Sequence, residues 1–409
     1  MAIENRRLGV AINGLGGAVA STMIAGLELI RQGLTPPVGL PLDKLPKALT
    51  AEMARYDALI FAGWDLCADD LATAARTHRV LPREQIDAIE PHLAALKPWP
   101  GIADEHFCSG VVGMHVRPVN SNAAAVEAFR TDLRAWRKDA ALDGLVLLNL
   151  ASVEATADPQ QPAYQTIAAF EQAIADNSAA IGPAALACYA AILEGVPYIN
   201  FTPSFAGDLP ALRLLAAERN VPVMGKDGKT GQTFIKTVLA PGFRDRALDI
   251  EGWFSTNILG NRDGEALRSA DSLASKLGTK TSVLDTIMGG SVDNHLVHIH
   301  YYKPRGDEKE AWDSIDLVGF GGQRMQMKVN FQCRDSILAA PLAIELCRLA
   351  DLAQRHGEGG VIEAASEFFK SPMTSDGRAP EHDFFRQHGM LVDWLTRLAQ
   401  PKMQPLAAE

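Results

Sequence analysis

The chain has 409 residues, a length that fits two to three domains at roughly 150 residues each. Apolar residues make up 47% and charged residues 22%, the composition of a globular protein with a large core rather than of a disordered or fibrous chain. Lysine plus arginine number 39 against 49 aspartate plus glutamate, and the formal charge of −10 disfavours a protein whose main task is gripping nucleic acid or an anionic membrane surface.

The five cysteines (Cys67, Cys108, Cys188, Cys333, Cys347) are odd in number and show no CxxC pair or metal-ligand spacing, so they read as reduced side chains of a cytoplasmic protein. The N-terminal stretch lacks the apolar core of a signal peptide. Apolar runs such as GLVLLNLA at 144–151 are of strand length, far short of a membrane span.

Residues 8–13 (LGVAIN) form an apolar run, followed by GLGG at 14–17 and by a stretch with Met23, Ile24, Leu27 and Ile30 at helical spacing up to Gly33. Strand, glycine turn and helix open a parallel α/β sheet. Strand-length runs recur at 57–65, 144–152, 196–204 and 221–233, each running into Gly, Ser, Thr, Asp or Asn. In a parallel sheet such strand ends open on one edge, where ligands bind. After residue 240 the pattern turns β-rich at 248–260, 291–304, 314–320 and 323–333, with helical stretches near 265–277 and 281–288. That predicts an α+β insertion with a largely antiparallel sheet. Helices predicted at 336–356, near 359–370 and at 381–399 return the chain to the first unit.

Gly14, Gly16 and Gly17, after a strand and before a helix, allow a backbone to approach a pyrophosphate at a helix N-terminus. The alternative is a tight turn with no ligand. An acidic residue about 20 positions on, expected of a dinucleotide fold, is missing, because Asp43 sits late and among prolines. Asp65, closing the 57–65 run, is better placed for ribose hydroxyls, or equally as the N-cap of the helix that follows. Two polar turns, 200–204 and 227–233, also follow apolar strands, but the second lacks the GxxxxGK[ST] spacing of a nucleoside triphosphatase loop. Lys276, Lys280, Lys303, Lys309, Lys328 and Lys370 lie in or just after the insertion. Each is a solvated side chain by default; converging, they would bind an anionic sugar phosphate. His295, His298 and His300 lack a third metal ligand in a recognised spacing and fit a half-buried strand better.

Taken together, these motifs resemble the myo-inositol-1-phosphate synthase family. The carriers are GLGG (14–17), AGWDL (62–66), PYINFTPS (197–204), GKDGKTGQT (225–233), STNILGNRDG (255–264), SKLGTKTSV (275–283), YKPRGDEK (302–309), CRDSILAAPL (333–342) and FFKSPM (368–373). The resemblance implies an α/β fold: a Rossmann-type NAD-binding domain, 1–240 plus 345–409, with an inserted α+β catalytic and tetramerisation domain, 241–344. It further implies an isomerase that converts glucose 6-phosphate to an inositol phosphate by C5 oxidation, enolisation, intramolecular aldol closure and reduction, with NAD as cofactor. A cytoplasmic homotetramer acting in inositol and phospholipid biosynthesis is expected, with no nucleic-acid or membrane partner.

Residue by residue, the resemblance assigns Gly14, Gly16 and Gly17 to the pyrophosphate and Asp65 and Ile102 to the adenosine half. Thr202, Asp227, Thr230 and Asp335 are assigned to the rest of the dinucleotide. Gln232, Leu259, Asn261, Asp263 and Leu267 would line the sugar phosphate site, and Lys276, Lys280, Lys309 and Lys370 match the family's four active-site lysines. A divalent or monovalent cation is left open, with Asp263 and Asp335 as the carboxylates placed to serve it. The sequence departs from many relatives at Ala18-Val19-Ala20, at 150–154 and at Arg262, none of which touches the lysines. Two alternatives stand beside this expectation: a cyclitol phosphate synthase using another sugar phosphate, such as fructose 6-phosphate, and a non-catalytic NAD-binding regulator.

Overall fold

The computed structural model describes residues 6–108, 113–155, 157–260 and 283–400. Seven strands form the first sheet: β1 (Leu8–Asn13), β2 (Leu59–Asp65), β3 (Trp99–Pro100), β4 (Gly144–Asn149), β5 (Tyr198–Asn200), β6 (Pro222–Gly225) and β11 (Gly360–Val361). Their order is β11-β6-β5-β4-β1-β2-β3, and every pairing is parallel. The chain moves outward from β1 first to β2 and β3, then crosses back to β4, so the strand order reverses between β1 and β4. This is the doubly wound arrangement, with its ligand crevice at the point of reversal.

Nine helices of eight or more residues lie among the described residues: α1 (Ala18–Arg31), α2 (Leu71–His78), α3 (Asn122–Asp139), α4 (Ile167–Ala175), α5 (Pro183–Leu193), α6 (Pro210–Glu218), α7 (Gln232–Asp245), α8 (Asp335–His356) and α9 (Phe384–Ala399). Alternation along the strands divides the core in two. Leu8, Val10 and Ile12 of β1 pack with Val146 and Leu148 of β4 against α1 and α8, while Ala11, Leu145 and Leu147 face α3, α5 and α6. Covering both faces explains why the strands read as near-continuous apolar runs.

The second sheet comprises β7 (Asp249–Leu259), β8 (Asn294–Tyr301), β9 (Glu308–Val318) and β10 (Arg324–Arg334), in the order β10-β9-β7-β8. Two pairings are antiparallel and the β7–β8 pairing is parallel. A parallel neighbour needs a crossover, and the chain between these strands includes 261–282, which lies outside the described residues together with the helix expected near 265–277. Residues 283–288 are helical. On one face of this sheet, Ala240 and Phe243 of α7 pack with Trp253, Ile250, Ile315 and Leu317. Residues 240 and 345 fall inside α7 and α8, so continuous helices link the two sheets.

Two expected elements differ. The third β-rich segment begins at Glu308, because the charged start of β9 pairs with the end of β10, Glu308 with Arg334 and Lys309 with Cys333. The stretch near 359–370 is not a helix but β11 followed by a 3-10 turn, Glu363–Phe368. Its glycines decide this: Gly360 has φ +74°, and a Cβ on Gly359 would stand 2.4 Å from Asn220 Cα. Only such a close approach lets the chain pair with β6. The long central α8 fills its core with side chains such as the fully buried Leu346. Leu346→Ala is expected to destabilise the fold by about 2–5 kcal/mol, read from urea unfolding midpoints.

Candidate active site

Three neighbouring strands end in asparagine at the edge where the sheet reverses: Asn13 on β1, Asn149 on β4 and Asn200 on β5 stand in register. Asn13 Nδ2 donates to Asn149 Oδ1 (3.1 Å), Asn149 Nδ2 donates to Asn200 Oδ1 (3.2 Å), and Thr202 Oγ1 donates to the same oxygen at 3.0 Å. Buried amides paired in a row fix the crevice floor, because each unpaired one would carry a desolvation penalty. The signal for this ladder was present in the sequence, as three apolar runs that each close on Asn, and went unused.

The glycine turn after β1 is built as a cradle. Gly14 has φ +93°, and a Cβ there would lie 2.9 Å from the backbone of Leu150 and Ala151. Gly16 N–H donates to Asp65 Oδ2 (2.8 Å), and Cys67 N–H donates to Asp65 Oδ1 (2.9 Å). The Asp65 carboxylate therefore ties the end of β2 to the glycine turn. It does not cap α2; Asp70 does, accepting from Thr73 N–H at 2.9 Å. Gly17 is the N-cap of α1 and contributes no side-chain cap, which leaves first-turn N–H groups for an anion. Ile102 is buried beside this turn, following Gly101, whose N–H binds the Asp65 carbonyl.

Across the crevice, the loop after β6 is stitched to the segment after the 3-10 turn. Lys229 N–H donates to the Phe368 carbonyl at 2.8 Å, and Lys370 N–H donates to the Asp227 carbonyl at 2.6 Å. Gly228 leaves room for the Phe201 ring, which a Cβ would overlap. Lys370 Nζ is 2.8 Å from Asp227 Oδ1, while Asp227 Oδ2 is buried with no hydrogen-bond partner among the described residues. Three residues on, Thr230 Oγ1 donates to Asp335 Oδ1 (2.7 Å), which also lies 3.4 Å from Lys309 Nζ. Gly231 caps α7 without a side chain, and a Cβ on it would stand 3.3 Å from Lys309 Nζ.

A single cleft is lined by Val19, Thr202, Asp227, Thr230, Gln232, Leu259, Lys309, Asp335 and Lys370, among others. The structure thus brings together two of the four candidate lysines, all four of the candidate carboxylates and hydroxyls Thr202, Asp227, Thr230 and Asp335, and the substrate candidates Gln232 and Leu259. Gly14, Gly16, Gly17, Asp65 and Ile102 are not in its lining; the glycine turn adjoins it through Leu150 and Ala151. Asn261, Asp263, Leu267, Lys276 and Lys280 lie outside the described residues. No group of three or more metal-ligating side chains occurs among the described residues. The glycine cradle and the unpartnered Asp227 oxygen fit a dinucleotide with a pyrophosphate and sugar hydroxyls.

Sequence reading also missed buried ionisable groups around the cleft. Lys229, lowered to about 7 by burial, donates to Gln387 Oε1 at 2.5 Å and anchors the loop to α9. Burial, with a smaller contribution from Lys229, brings His382 down to about 4. Glu154 follows Val153 of the cleft wall and accepts Ala184 N–H at the start of α5 (2.7 Å). Burial pushes its carboxyl up to about 8.

With this geometry in place, known proteins can be compared. The sequence pattern of the family described as "Myo-inositol-1-phosphate synthase" matches residues 44–396. The chain belongs to this family. It is 40% identical to "Inositol-3-phosphate synthase 1" of Bacteroides thetaiotaomicron, over 97% of this chain and 96% of the relative. Identity to the Rattus norvegicus "Inositol-3-phosphate synthase 1" is 29%, over 94% and 77%. The crystal structure of inositol-3-phosphate synthase from Caenorhabditis elegans superposes with a TM-score of 0.88 at 26% identity, covering 100% of this chain and 90% of that one. Membership brings NAD as cofactor to the Rossmann-type sheet, and no described helix is long and apolar enough to cross a membrane.

The raised Glu154 value carries a sign. A carboxyl whose folded pKa lies above its unfolded one stabilises the fold fully below about pH 4.5, and that contribution is lost as pH rises to about 8. Unfolding free energy measured in urea across this window should fall with pH by a component that Glu154→Gln lacks.

Proposed function

We propose that the chain is an NAD-dependent inositol-3-phosphate synthase, an isomerase that converts D-glucose 6-phosphate to 1L-myo-inositol 1-phosphate. The supporting observation is the meeting, in one cleft beside the glycine cradle, of Lys370 with Asp227 and of Lys309 with Asp335 and Thr230. A binding-only regulator would need the cradle but not these ammonium groups. Bound NAD supplies a hydride acceptor for C5 of the sugar and returns the hydride within the same turnover, so no net oxidation remains.

The protein's own groups handle charge and protons. Lys370, held by Asp227, stabilises the C5 oxygen as its proton leaves, a role the family resemblance also gives to Lys276. Removal of a C6 proton, with the substrate phosphate as base, gives an enolate that attacks the C1 aldehyde. Lys309 or Lys280 donates to the aldehyde oxygen as the ring closes. Uncapped N–H groups at the start of α7, those of Gln232 and Thr233, hold the phosphate. Thr202, Asp227, Thr230 and Asp335 hold the nicotinamide half of the dinucleotide, and Gly14, Gly16, Gly17, Asp65 and Ile102 the adenosine and pyrophosphate. Leu259, Asn261, Asp263 and Leu267 complete the sugar site, with Asp263 and Asp335 serving any cation.

A cytoplasmic homotetramer fits the outer face of the second sheet. Leu296 and Trp312 are 52% and 37% exposed, and the Phe254 ring packs between Trp312 and His298 on the same face. A second copy would cover this apolar surface. Sedimentation of wild type should give a tetramer, and Leu296→Glu with Trp312→Glu should give smaller species.

Lys370→Ala and Lys309→Ala should each lower turnover by about 100-fold or more, while NAD titration by fluorescence stays near wild type. Phosphorus NMR with NAD and glucose 6-phosphate should show an inositol phosphate without net NADH. A cyclitol phosphate formed only from fructose 6-phosphate would replace the substrate, and no product from either would favour a binding role.

A further inference from the structure

Helix α7 carries Gln232 in its first turn and Lys236 one turn later, so both point from one face onto the second sheet. The Gln232 carboxamide is fixed on three sides: Nε2 donates to the Thr256 and Trp312 carbonyls at 3.3 and 3.4 Å, and Oε1 accepts from Asn257 Nδ2. Beneath it, Lys236 is 2% exposed and its Nζ lies 2.6 Å from His295 Nε2 on β8. Trp253 stands in register with His295, its ring 5.7 Å from the ammonium. Ser255 stands in register with Asp313, whose Oδ1 accepts from Ser255 Oγ (2.6 Å) and Trp253 Nε1 (2.8 Å). Its Oδ2 has no hydrogen-bond partner among the described residues.

This polar layer is costly where it sits. Ala240 and Phe243, one and two turns further along α7, meet a wholly apolar surface. An apolar side chain at 236 would extend that core without the desolvation cost of an amine. Packing between apolar groups fixes distance but permits sliding; a short N–H···N bond fixes direction as well. The bond from α7 to β8 therefore sets the rotation and height of the helix over the sheet, one turn below the uncapped first-turn N–H groups at the cleft.

We propose that Lys236 and His295 are positioning residues: their bond holds the first turn of α7, and with it the N–H groups of Gln232 and Thr233, at the place required to grip the phosphate of the substrate. This rests on the start of α7 facing the sugar phosphate, as proposed above.

The test measures KM and kcat for glucose 6-phosphate in Lys236→Met, His295→Leu, His295→Gln and Gln232→Pro, which removes a first-turn N–H, with NAD affinity and melting temperature as controls. Lys236→Met and His295→Leu should raise KM at least tenfold with kcat within about threefold and NAD affinity unchanged. His295→Gln, which keeps an acceptor for the amine, should retain near wild-type KM. A purely structural role would move the melting temperature and leave KM alone. Wild-type KM in folded Lys236→Met, with KM raised in Gln232→Pro, would overturn the inference. Wild-type KM in Gln232→Pro would overturn the phosphate assignment instead. If Lys236→Met does not fold, the two histidine variants decide: equal KM values for both would overturn the proposal.

Discussion

The loop after β6 has to satisfy two distant parts of the chain at once, and the cleft depends on its doing so. Asp227 meets Lys370 from the C-terminal segment, and Thr230 meets Asp335, delivered by the return from the second sheet. The Asp227–Lys370 pair is largely withdrawn from water, with side chains 7% and 18% exposed. Removing one partner would strand a charge, which in such surroundings costs more than the pair itself contributes. Backbone bonds on either side, from Lys229 to Phe368 and between Lys226 and Ser371, hold the two segments in register independently of the charges. The main chain thus fixes the geometry in which these paired side chains meet.

The two sheets are coupled by helices rather than by linkers. α7 leaves the first sheet and lies on the second; α8 starts at Asp335, directly after β10, and runs back into the first core. Asp307 secures that second junction, accepting from Ser336 N–H (3.2 Å) and Ser336 Oγ (2.9 Å). A site built on helix starts and strand ends is held more rigidly than one on free loops, and all the described side chains of the cleft sit within a few residues of such ends.

Much of this was legible in the residues. The apolar runs of β1, β2, β4, β5 and β6 announced a buried parallel sheet, and the glycine turn announced its ligand edge. Alternation after residue 240 announced the second sheet. β3 and β11 were illegible because two-residue strands carry no period, and β11 exists only because Gly359 lets the chain press against Asn220. Asp65 allowed two local roles; the structure gives the helix cap to Asp70 and ties Asp65 to the glycine turn, 49 residues earlier, a contact no local pattern announces. Lys229 and Lys236 resembled surface lysines, since burial of a charged type comes from tertiary packing and leaves no local mark. Convergence of Lys309 and Lys370 had no signal in composition or spacing; only the family's block order carried it.

Asp227 and Lys370 are 143 positions apart, and Thr230 and Asp335 are 105 apart. The turn after β1 bonds locally to the end of β2, yet β1 and the helix after it pack against α8, so both sides of the cleft wait until residues 335–356 have left the ribosome. Contacts of such sequence separation are slow to form. A chain cut short before α8 would leave the glycine turn without the core beneath it, so no half-built site stands ready to oxidise a sugar before the fold is whole.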